Sequence, residues 1–116
     1  MRPDTSITAD RNARVIHAFR LTGYAMTDTH GVRLGSIGRV WVDRTTGALT
    51  ALGLTTGMFP RQTRVVPVDG LRIDEARRSV QVGFAGDVIR HAPRHNTDVP
   101  LSVEQARKVA QYYDNA

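Results

Sequence analysis

From Tyr24 to Val82 the chain is a series of short β-prone runs cut by turn residues, and this grammar limits the fold more than any other feature. Strands are predicted near Tyr24–Thr27, Ser36–Asp43, Ala48–Thr55, Thr63–Pro67, Leu71–Asp74 and Ser79–Val82. Between them lie Asp28-Thr29-His30-Gly31, Asp43-Arg44-Thr45-Thr46-Gly47 and Asp69-Gly70. In such turns Asp accepts from nearby backbone N–H groups and Gly adopts positive φ. Gly35 and Gly38 interrupt the second run, and glycine inside a strand marks a bulge or a tight corner. Strands this short and this closely spaced predict a small sandwich or barrel, and 116 residues suffice for one domain with one core.

After Phe84 the pattern changes. Ala85–Ala92 reads as a helical turn stopped by Pro93, and residues 94–100 read as loop. Ser102 and Gln105 have the spacing of a capping box, which predicts a helix running to about Tyr113. Val103, Ala106, Val109, Ala110 and Tyr113 share one face of that helix, and Glu104 and Lys108 lie four apart on another. The organisation expected is a flexible arm over 1–20, a barrel over 21–93, and a loop with an amphipathic helix over 94–116.

Several chemistries are excluded or left unsupported. There is no Cys, so disulfides and thiolate metal sites are ruled out. No apolar run approaches the roughly 20 residues that span a bilayer, and residues 1–20 lack the apolar stretch of a signal peptide. The expectation is a cytoplasmic protein with no direct membrane insertion. The net charge of +5 divides as +2 over residues 1–20, +3 over 21–93 and zero over 94–116, with no cationic block. His91 and His95 have a helical ligand spacing, with Asp98 nearby, but Pro93 between them denies that helix. His17, Asp28 and Ser36 match no triad motif, and no phosphate loop occurs. No catalytic residue, metal or cofactor is predicted, and the chain is read as a non-enzyme.

The segment from Leu21 to Tyr113 resembles the PRC-barrel family. Asp28–Gly35 is similar to the family's turn between its first two strands, D-x-x-G-x-x-I-G. Ile37–Asp43 and Gly47–Leu54 are similar to the hairpin strands that follow. Val66-Pro67 and Ala92-Pro93 match a later strand start and a helix stop. Ala85 departs from the usual Ser or Thr helix cap, and Arg39 from a common acidic residue. The family includes the cytoplasmic domain of the photosynthetic reaction-centre H subunit and a domain of a ribosome maturation factor. The resemblance implies a mainly β fold, a small antiparallel PRC-type barrel of about five or six strands with a C-terminal helix.

Function is then sought on surfaces. Trp41, Met58, Phe59, Val109 and Tyr113 are candidate interface residues, because large apolar side chains anchor interfaces when a core does not absorb them. Arg61, Arg64, Arg72, Arg77 and Arg78 are candidates for one basic face. The favoured reading is a protein-binding or self-associating module, a homodimer with a further, unidentified protein partner. The alternative is an RNA- or ribosome-associated module that uses the basic face. A membrane-complex role would need a docking partner, and fold alone decides none of these.

Overall fold

The computed structural model describes residues 18–56, 62–96 and 99–116. The six predicted runs form β1 (Ala25–Thr27), β2 (Arg33–Val42), β3 (Leu49–Thr55), β4 (Gln62–Pro67), β5 (Arg72–Asp74) and β6 (Ser79–Gln81). Helix α1 (Gly86–Arg90), strand β7 (Arg94–Asn96) and helix α2 (Val103–Asp114) follow. Residues 18–20 are helical, and Ala18 and Leu21 are buried, so the predicted arm is too long at its C-terminal end. The rest of that arm, 1–17, lies outside the described residues.

Turn chemistry accounts for the hairpins. Asp43 Oδ1 accepts from the N–H groups of Thr45 and Thr46 at 2.7 and 2.9 Å, and Gly47 takes φ 72° before β3 begins. Gly38 marks a bulge in β2. A Cβ there would stand 2.0 Å from Thr55 Oγ1, and the β2–β3 register slips between Ile37 and Arg39.

The expected closed, wholly antiparallel barrel does not form. Seven strands make one open sheet in the order β5-β6-β1-β2-β3-β4-β7. β1 and β6 pair in parallel, and every other pair is antiparallel. The free side of β4 takes up β7, in the segment read as loop, and β4 also packs against α1 and α2. The ladder therefore ends at β7 and does not close onto β5.

The core lies on both sides of β3, whose residues 51–54 are all buried. Leu52 sits opposite Val66, and both are fully buried. Their neighbours Ala51 and Val65 face α2. The capping box of α2 forms as predicted, with Gln105 N–H donating to Ser102 Oγ at 3.1 Å and Ser102 N–H donating to Gln105 Oε1 at 2.9 Å. The predicted apolar stripe packs only along its C-terminal part. Val109 and Tyr113 are buried, whereas Ala106 and Ala110 are exposed and Val103 is 88% exposed. The reason is where the helix is tied. Tyr113 donates to the Val65 carbonyl at 2.8 Å and Tyr112 to the Val88 carbonyl at 2.5 Å, while the first turn overhangs the sheet.

Candidate interaction surfaces

The overhang of α2 leaves a shallow apolar groove of about 130 Å³ against β3 and β4. Ala51, Val65 and Pro67 form its floor, and Leu101, Ala106 and Ala110 its far wall. Val103 stands one helical turn before Ala106 on the same side, so the exposed apolar strip extends past the groove.

Three predicted interface residues are core residues. Val109 and Tyr113 are 6% and 7% exposed, and burial pushes the Tyr113 phenol well above its ordinary pKa. Trp41 is 7% exposed. Its ring meets His95 of β7 edge-on at 5.8 Å, and the Arg39 guanidinium lies 5.6 Å from its centre. Gly53 makes room for the indole, since a Cβ there would come within 3.3 Å of it. Trp41 Nε1 and Thr63 Oγ1 are buried without hydrogen-bond partners among the described residues. Met58 and Phe59 lie outside the described residues.

The described candidate basic residues divide between β4 and the β5–β6 hairpin. Arg64 is half-buried on β4 and donates to the Ala92 carbonyl at 2.7 Å, bracing the exit of α1. Arg78 adopts φ 51° in the β5–β6 turn, with its guanidinium 5.3 Å from the Tyr24 ring centre. Arg72 and Arg77 share a polar pocket of about 310 Å³ with Thr27, Asp74, Ser79 and Gln81. Arg61 lies outside the described residues. The hydroxyl and amide members of this pocket are absent from the sequence-based candidates. Only strand register brings them together.

The other polar candidates serve the backbone. His91 Nδ1 donates to the Asp87 carbonyl at 2.9 Å, and the buried His95 donates from Nε2 to the Val99 carbonyl at 2.8 Å. His17 and Asp98 lie outside the described residues. Asp28 Oδ1 accepts from His30 N–H at 2.8 Å and Val32 N–H at 2.9 Å, and its carboxylate also accepts from Gly86 N–H. Burial opposes its ionisation, but these three donors and the charge of His30 outweigh that effect. The Asp28 carboxyl is held below its ordinary range. Gly86 opens α1, whose N-cap Ala85 has no side chain to offer, so the β1–β2 turn supplies the missing cap from a distance.

The model of the PRC-barrel domain matches residues 14–87. This chain belongs to the PRC-barrel family. The match covers β1 to β6 and the first residues of α1, so β7 lies beyond it, as does α2, which carries one wall of the groove. The PRC-barrel sheet stands open here, with β5 and β7 at its ends. No curated protein matches the chain. Among the described residues no helix is long and apolar enough to cross a membrane, and no cluster of three or more metal-ligating side chains occurs.

Proposed function

We propose that this PRC-barrel protein is a non-enzymatic interaction module that self-associates through the α2 groove. The observation that carries the reading is the apolar strip of half-buried Leu101 and exposed Val103, Ala106 and Ala110 beside that groove. The sheet edges are weaker candidates. β5 and β7 are three residues long and expose Arg72, Asp74, Arg94 and Asn96, the devices that discourage edge pairing.

A second copy fits the strip by chemistry. Ala106 and Ala110 are small, so two helices can approach closely. A two-fold contact places the same patch on both sides.

Light scattering at micromolar concentration is expected to return the mass of a dimer. Val103→Asp or Ala106→Glu, at exposed positions, should give a folded monomer. A wild-type chain that stays monomeric at high micromolar concentration would overturn the proposal.

A further inference from the structure

We propose that the polar face of β5, β6 and β1 binds a small phosphorylated polyol, with Arg72 and Arg77 holding the phosphate and Thr27, Ser79 and Gln81 holding the hydroxyls. The register builds this face. Thr27 pairs with Gln81 across the parallel seam, and Gln81 pairs with Arg72 across the β5–β6 hairpin, making one row over three strands. Ala25, Ser79 and Asp74 make the next such row. The alternate row of Met26, Val80 and Ile73 points the other way, and Met26 and Val80 are fully buried.

Above the polar rows lies the pocket of about 310 Å³, bounded by Gly31 of the β1–β2 turn and Arg77 of the β5–β6 turn. Its volume reaches the lower end of the roughly 300–1,000 Å³ typical of small-molecule sites. That is room for more than a bare anion.

The polar groups sort into a cationic end and an accepting end. Arg72 forms no ion pair among the described residues. Arg77 is 3.8 Å from the Asp74 carboxylate, which also accepts the Arg77 N–H at 3.2 Å. Two guanidiniums against one carboxylate leave a net positive charge, and the guanidinium fork matches phosphate oxygens. Gln81 donates from Nε2 to the Thr29 carbonyl at 3.0 Å, which leaves Oε1 as an acceptor. Thr27 donates to the Val80 carbonyl at 3.5 Å, so its oxygen also accepts. Acceptors of this kind suit ligand hydroxyls. Among the described residues no aromatic ring lines the pocket, so a nucleobase finds none there to stack on. The site shares no residue with the α2 groove.

Isothermal titration calorimetry of the full chain with glucose phosphate and with inositol phosphate tests this, with free glucose, free inositol and inorganic phosphate as controls. At least one phosphorylated polyol is expected to bind one to one, more tightly than its unphosphorylated parent and than inorganic phosphate. Arg72→Gln should weaken it about tenfold, the usual size of a lost charge-assisted hydrogen bond. Gln81→Ala should weaken it less, and Arg94→Gln, at an exposed arginine outside the pocket, should leave it unchanged. Vesicles carrying phosphatidylinositol phosphate separate the sources. Binding there but not to the soluble compounds assigns the same chemistry to a lipid headgroup. No binding to either form at millimolar ligand overturns the proposal. So does an equal loss on Arg94→Gln, or a short RNA duplex that binds while the polyols do not.

Discussion

β2, β3 and β4 run for 10, 7 and 6 residues, whereas β1, β5 and β6 have 3 residues each. The long strands bury Leu52, Val65 and Val66 completely, and two of the buried polar atoms among them, Trp41 Nε1 and Thr63 Oγ1, have no partner among the described residues. The short strands bury Met26 and Val80 but are also laced by specific polar ties. Asp28 spans the β1–β2 turn and α1, Tyr24 donates to Glu75 at 2.6 Å, and Gln81 holds Thr29. The Glu75 hydrogen bond and, after it, burial raise the Tyr24 pKa. One half of the sheet is thus held mainly by packing, and its stray polar atoms work against it. The other half is too small to rely on packing alone, and its polar atoms act as fasteners.

This contrast can be broken or sharpened by substitution. Leu52→Ala should have the largest effect, a loss of about 3 kcal/mol from lost burial and an unfilled cavity. Denaturant unfolding measures it, and a loss below about 1 kcal/mol would deny that packing holds the long half. Asp28→Ala should cost about 2 kcal/mol, because it strips the carboxylate from three backbone donors at once. That contribution carries a pH signature. Folding lowers the Asp28 pKa below its ordinary value of 3.8, so the stabilisation is complete above that value and is lost as pH falls through the folded value. The stability gap between wild type and Asp28→Ala should therefore be constant at neutral pH and close at the acid end.

Thr63→Val should stabilise by about 1 kcal/mol, since it removes a buried, unpartnered hydroxyl without changing shape. Thermal unfolding reads the sign, and a destabilised variant would mean that the hydroxyl has a partner after all. Ser102→Ala should cost about 0.5–1 kcal/mol, seen as fraying of the first turn of α2 in hydrogen exchange. Arg78→Gly should change stability least, within about 0.5 kcal/mol. Relief of the positive φ offsets the lost stacking on Tyr24.

The long half was legible in the sequence, and for the same physical reason that it is stable. Val40, Trp41 and Val42, then Ala51 to Leu54, then Val65 and Val66, carry an apolar signal that local pattern reading detects. The capping box of α2 was equally plain, because all of its partners lie within four residues. What escaped depends on distant neighbours. Arg94-His95-Asn96 has no strand character and becomes β7 only because β4 offers a free edge. The parallel β1–β6 pair and the open ends follow from where the chain returns. Arg64 looks like a surface cation until the Ala92 carbonyl is brought to it, and the row of Thr27, Gln81 and Arg72 exists only once three separate segments are in register. Ala85 seemed to leave α1 uncapped, and Asp28 closes that gap across more than fifty positions of chain.

The parallel seam has a consequence for how the molecule is made. Thr27 and Val80 touch although they stand 53 positions apart, so β1 waits for β6 to be synthesised before its second border is occupied. Until then Met26 has only β2 for company. A nascent chain halted after Pro67 would carry an apolar edge with nothing to shield it, and that unfinished border is where mispairing between growing copies would start.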